Sequence, residues 1–244
     1  MEMQSVADNS ARAKPVRRRI AVAACSRPAR RLRGFAWLFF IALPHWALAQ
    51  DVSVNVKLLT AARNADHDGV AKALAEGASP DARNRVGETA LIIALKNDQP
   101  KLAMQMIGAG TDVNLAAVNG VTPLMAAAHA GQTDIALLLL AKGANVAPLD
   151  RLQKSAMVYA AGQGSTGVVV LLLRAGVDPN AVYVHELTAL MWAAGYGKTE
   201  TVRALLDAGA RAELKDDRGK TALDIAREGS YAETVKLLEP LASR

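Results

Sequence analysis

Cysteine is all but missing from this chain of 244 residues, and the single one, Cys25, lies near the N-terminus. From residue 50 onward there is no thiol, so the body of the chain can form no disulfide and has no sulfhydryl for an oxidising compartment to damage. Catalytic signatures are lacking too: there is no Gly-x-Ser-x-Gly, no Walker-type loop and no His-Glu-x-x-His. His67, His129 and His185 have no histidine or cysteine near them at ligand spacing, so no metal site is expected. Net charge is a further absence. The formal value is +6, but nine of the 29 basic and two of the 23 acidic residues precede residue 50, leaving 20 against 21 in the body. Near neutrality gives no electrostatic reason to expect nucleic acid or an anionic membrane surface as partner.

The apolar segment from Phe35 to Leu43 falls short of the roughly 20 residues a bilayer span needs, and Pro44 and His45 interrupt it. It reads instead as the core of an export signal at 1–49. A basic stretch, Arg27 to Arg33, precedes it, and Ala47-Leu48-Ala49 is the small-x-small pattern of a cleavage site, so cleavage is expected after Ala49. Arg30-Arg31 is followed by Leu32, Arg33 and Gly34 rather than by a twin-arginine pattern, which favours ordinary secretion. A leader retained as an anchor is the alternative. The expected location is the periplasm or beyond, with no membrane insertion once the leader is removed.

What the chain does have is a period of 33 residues. Thr89, Thr122, Ser155, Thr188 and Thr221 keep it, as do Ala61, Ala94, Ala127, Ala160, Ala193 and Ala226, and Gly77, Gly110, Gly143, Gly176 and Gly209. A period of this size means a stacked array in which each unit buries its apolar face only against its neighbours. The third unit shows how. Thr122 is placed to cap a helix and Pro123 sits at the first helical position, where its missing N–H costs nothing. A short helix to about His129 is followed by a reversal at Gly131, then by a second helix from Asp134 with Ile135, Ala136, Leu139 and Leu140 at helical spacing. Gly143 ends it in a left-handed conformation. The in-phase alanines suit a close helix approach, and Leu74, Ile107, Leu140, Leu173 and Leu206 are expected to supply the continuous core.

The period, Thr122-Pro123-Leu124, the paired alanines and the Gly-Ala after the second helix resemble the ankyrin repeat family. The resemblance implies an all-α solenoid of about six helix-turn-helix-loop units over 56–240, near 56–86, 87–119, 120–152, 153–185, 186–218 and 219–240. A short linker at 50–55 and a tail at 241–244 flank it. Departures from the family are visible. The histidine usual after Thr-Pro-Leu is replaced by Ile92, Met125, Val158, Met191 and Asp224, so its hydrogen bonds between units are not expected. The usual turn glycine, kept at Gly131, Gly164 and Gly197, is Asp98 and Ser230 elsewhere. The final unit ends in a charged outer face, Arg227, Glu228, Glu233 and Lys236, as a terminal cap should.

Gly162-x-Gly164-x-x-Gly167 matches a dinucleotide fingerprint, but it is in phase with Thr122–Asp134 and Thr188–Glu200, which carry none. Gly164 is therefore read as the turn glycine of its repeat, and neither cofactor nor catalysis is expected. A stack without a catalytic set still presents a long concave face, so a monomeric protein-binding scaffold is expected, placed in the bacterial envelope by its leader; the resemblance implies the same role, with contacts through loop tips and the exposed side of the first helices. Its candidate positions are Val118, Asn119, Val121 and His129 in repeat three, and Arg151, Leu152, Lys154 and Gln163 in repeat four. Repeat five adds Val184, His185, Leu187 and Tyr196. Trp192 shares an inner position with Ile93, Ala126, Tyr159 and Ile225 and is expected in the core. The alternatives are an effector that leaves the cell to bind a host protein and, from another class, a nucleotide-dependent enzyme.

Overall fold

Repeats two to six each open on a hydroxyl that caps a helix, and the cap geometry recurs among them without exception. In the computed structural model, which describes residues 45–241, the side chains of Thr89, Thr122, Ser155, Thr188 and Thr221 accept from the amides of Ile92, Met125, Val158, Met191 and Asp224. Each such cap is worth about 1 kcal/mol. The replacements for the family histidine act here as well. The sulfurs of Met125 and Met191 lie 3.5 Å from the Thr122 and Thr188 amides, and the Asp224 carboxylate accepts from Thr221 N at 3.0 Å.

The helices fall into six pairs. The first members are α1 (His45–Arg63), α3 (Ala90–Lys96), α5 (Pro123–Ala130), α7 (Ala156–Gln163), α9 (Ala189–Gly195) and α11 (Ala222–Glu228). The second members are α2 (His67–Ala75), α4 (Pro100–Gly108), α6 (Thr133–Ala141), α8 (Thr166–Arg174), α10 (Thr199–Asp207) and α12 (Ala232–Leu238). First helices pack in series from α1 to α11 and second helices from α4 to α12, giving two layers. Among the described residues there is no strand beyond isolated antiparallel bridges, Arg83 with Thr89 and Val182 with Thr188, at the base of the hairpin loops that project between repeats. The chain is thus an all-α solenoid of six units.

The core repeats in phase. Leu58, Leu91, Leu124, Met157, Leu190 and Leu223 of the first helices are buried, and so are all six alanines of the series from Ala61 to Ala226. Truncating one of these leucines would cost about 2–5 kcal/mol, more than any cap, so packing between repeats dominates stability. In the second helices the core series differs from expectation by one residue. Ala73, Met106, Leu139, Leu172, Leu205 and Leu238 are the buried set; of the expected series Ile107 is buried too, whereas Leu74, Leu140, Leu173 and Leu206 are only half-buried at its edge.

The first repeat also begins earlier than the sequence suggests. Residues 50–55, read as a linker, are helical within α1, and Val54 and Leu58, four apart on one face, both enter the core. Residues 1–44 of the expected export leader and residues 242–244 of the tail lie outside the described residues, and the expected junction after Ala49 falls inside α1. At the other end, Arg227, Glu228, Glu233 and Lys236 are exposed, and Arg227 pairs with Glu239 at 2.9 Å.

Candidate functional site

Short polar side chains build the hairpin loops. The Asn84 carboxamide oxygen accepts from the amides of Val86 and Glu88, Asp150 does the same for Leu152 and Lys154, and Asp216 for Arg218 and Lys220. Burial works against the Asp216 charge, but these amides and the Arg218 guanidinium outweigh it and hold its pKa below the usual carboxylate range. Adjacent tips are also tied to one another. Val118 N donates to Val86 O at 3.0 Å, Arg151 N to Asn119 O at 2.9 Å and Asp217 N to His185 O at 3.2 Å. The loops therefore line up as a ridge beside the exposed side of the first helices, tied through the backbone at every junction but that between the loops before α7 and α9.

The ridge gathers most of the candidate residues. Val118 and Leu152 stand out at its crest, 52% and 65% exposed, with Val86 (55%) beside them, and Arg151 and His185 are exposed as well. His185 adopts a left-handed conformation and its ring lies 2.9 Å from Asp217. Three candidates are not the exposed apolar residues expected. Val121, Val184 and Leu187 are half-buried, and Val121 and Leu187 pack on the core, because the arm that enters each first helix lies flat on the stack.

Across the inner helices runs an aromatic row that the sequence pattern did not single out. His129 meets Tyr159 edge-on at 5.7 Å between ring centres, and Trp192 stacks with Tyr196 at 6.1 Å with planes 11° apart. The ammonium of Lys154 sits 4.9 Å from the Trp192 ring centre and 5.8 Å from that of Tyr159. Trp192, expected in the core, is half-buried, and its indole N–H lacks a protein partner. Tyr196 is 53% exposed. Tyr159 donates its hydroxyl to Asp150 at 2.6 Å, and burial together with that carboxylate pushes its pKa well above the ordinary phenol value. His129 is exposed and lies 3.2 Å from the Gln163 side chain.

Ridge and helices enclose a cleft of about 220 Å³ floored by Ile92, Val121, Met125 and Ala126 and reaching His129 and Tyr159. It shares Glu88, Lys96, Ala117 and Asn119 with a wider stretch bounded by Arg85, Val118 and Arg151, so the two form one groove. Burial works against the Glu88 charge, but Lys96 at 2.6 Å and the Asn84 amide at 2.9 Å outweigh it and lower its pKa. The signal for this site was present in the sequence as the phase relation of Tyr159 to Trp192 and of Gln163 to Tyr196, each 33 apart.

The glycine motif has a structural explanation. Gly164 is the left-handed C-cap of α7, and Gly167 lies in α8, so the fingerprint spans a helix-turn-helix rather than a strand and the helix after it. A methyl group at Gly162 would meet the Tyr196 ring at 3.6 Å. The family model described as ankyrin repeats, in three copies, matches residues 58–150, 97–183 and 157–242. No curated protein matches the chain.

Proposed function

Because the chain belongs to the ankyrin repeat family, whose repeats are protein-interaction modules, we propose that it is a non-catalytic scaffold of the bacterial envelope. On this reading it holds a protein partner against the ridge and the inner helix face of repeats two to five. The observation that carries the location is the concentration of exposed apolar groups there. Val86, Val118, Leu149, Leu152, Val182 and Tyr196 all lie on the loops or at the end of α9, and a face of this kind marks an interaction surface. Half-buried Trp192, stacked on exposed Tyr196, adds the type of residue that anchors interfaces. The basic stretch, the apolar segment and the cleavage pattern of the leader support export, and the lack of cysteine from residue 50 on suits an oxidising compartment.

Two measurements test this. Intact mass of the protein recovered from the periplasmic fraction should correspond to a chain beginning at Gln50, and a full-length mass would sink cleavage. Cross-linking in producing cells, with a photoreactive group at position 152 or 196, should give a discrete partner adduct. The same group on the opposite face, at exposed Leu137, should not. Equal labelling from both faces would remove the assignment of the surface.

A further inference from the structure

We infer that the groove over repeats two to four binds an extended acidic peptide segment, with one apolar side chain seated in the cleft and flanking carboxylates held at the rim. The inference rests on the scaffold reading and adds the chemistry of the partner.

Charge is the first ground. The body of the chain carries 20 basic against 21 acidic residues, yet the groove is lined by Arg85, Lys96 and Arg151 against Glu88, with Lys154 and Asp150 beside it through their contacts to Tyr159. The two acids are already engaged. Glu88 bonds Lys96 and Asn84, while Asp150 accepts from two turn amides and from the Tyr159 hydroxyl. Among the described residues no carboxylate lies in ion-pair distance of Arg85, Arg151 or Lys154. Lys154 instead rests on two aromatic faces, which holds its ammonium in place without neutralising it. Three uncompensated cations, Arg85, Arg151 and Lys154, thus border one groove whose two carboxylates are both already bonded.

Shape is the second ground. The deep end, about 220 Å³ with an apolar floor, is smaller than the roughly 300–1,000 Å³ of small-molecule pockets and suits one anchoring side chain. The groove continues open toward Arg85 and Arg151, which lets a chain run on past the anchor. A flat bilayer cannot follow a surface recessed between the loop ridge and the helices.

The test is selection of a random displayed peptide library on the full chain, followed by titration of enriched peptides by fluorescence anisotropy. Enriched sequences are expected to place aspartate or glutamate on both sides of a large apolar residue, with affinity falling as salt rises. Arg85→Glu combined with Arg151→Glu, both exposed side chains, should leave the melting curve unchanged and weaken the acidic peptide at least tenfold. Selection on that variant should turn toward basic sequences. Enrichment of neutral or basic peptides on the original chain, or an affinity indifferent to the charge reversal, overturns the inference and leaves the scaffold reading standing. No enrichment on a cooperatively folded chain overturns both. Pelleting with phosphatidylglycerol vesicles, or self-association lost in the double variant, in place of peptide binding would assign the groove to a lipid surface or a second copy and likewise overturn it.

Discussion

Backbone conformation is imposed by the stack even where the residue resists it. After every second helix from α2 to α10 a glycine takes up φ between 84° and 95°, and a side chain added there would touch nothing, so the requirement is for the left-handed conformation alone. Gly143 follows α6 with its amide bonded to Leu140 O and the Ala144 amide to Leu139 O. Gly143→Val is accordingly expected to destabilise by about 1 kcal/mol or more, while exposed Lys142→Ala leaves stability nearly unchanged. A denaturant melt in which the two cost the same would refute the register. After the first helices the same left-handed turn recurs at Ala65, Asp98, Gly131, Gly164, Gly197 and Ser230, with φ from 54° to 80°. Asp98 recovers part of its strain by accepting from the Gln132 amide at 2.7 Å, but the Ala65 methyl offers no such bond. Ala65→Gly should therefore stabilise by about 0.5–1 kcal/mol, the relief of left-handed strain less the added unfolded-state entropy, read as a raised denaturation midpoint. Caps and left-handed positions were legible in the sequence because each is decided within four residues and repeated five or six times.

Between elements, a second set of bonds shows how neighbouring repeats are fastened. Asn114 donates to Gly143 O at 3.1 Å and accepts from Asn145 N at 2.8 Å, and Asn180 repeats this with Gly209 O at 3.2 Å and Arg211 N at 2.8 Å. The in-phase residue in the repeat between them is Ala147, which cannot make either bond. Its turn keeps one of the local bonds, the Ala147 amide donating to Asn145 Oδ1 at 2.9 Å as those of Asn114 and Asn180 do to Asp112 and Asp178 at 2.8 Å, although Pro148 has no N–H to close it as Leu115 N and Ala181 N do on Asp112 O and Asp178 O. Ala147→Asn is expected to bridge to Gly176 O and Asp178 N and to add about 1 kcal/mol, two hydrogen bonds less the ordering of one side chain. Urea unfolding should show a higher midpoint at unchanged slope, and no gain would mean that the third and fourth repeats already meet too closely for the amide. The misplacement of the second-helix core by one residue arises at this scale. Positions 139 and 140, like 172 and 173 and 205 and 206, are both leucine, so composition does not tell the buried position from the edge beside it; only the packing of α6 between α4 and α8 does. The extra turns of α1 were hidden for a different reason: a small-x-small motif and a helix N-terminus overlap there, and the core anchors Val54 and Leu58 lie beyond it.

At the scale of the molecule, the site is assembled from residues that no single repeat contains. Lys154 belongs to the loop before α7, Tyr159 to α7, Trp192 to α9 and Tyr196 to its C-cap, and only stacking brings the ammonium over the Tyr159 and Trp192 rings. That is why the exposed loop residues could be anticipated from the repeat pattern while Trp192 was misassigned to the core: its position is inner in phase, yet a ring too large for the space kept by Ala126 emerges at the surface. The placement decides how binding should respond to mutation. Tyr196→Ala removes an exposed ring that shields Trp192, and Leu152→Asp charges the crest of the ridge; both should keep the melting temperature within a few degrees and weaken partner capture, Tyr196→Ala by about 2 kcal/mol if it is an anchor. Leu187→Asp is unsuitable as such a probe, since Leu187 packs on the core and its carbonyl accepts from Tyr183 N at 2.9 Å. Trp192→Ala should do both at once, weakening capture and lowering stability by about 1–3 kcal/mol, because half of the indole is packed and the Lys154 and Tyr196 contacts end with it. Measured side by side, affinity and melting curve separate the roles. If Trp192→Ala lowers stability alone and Tyr196→Ala leaves affinity untouched, the partner docks on another face of the solenoid.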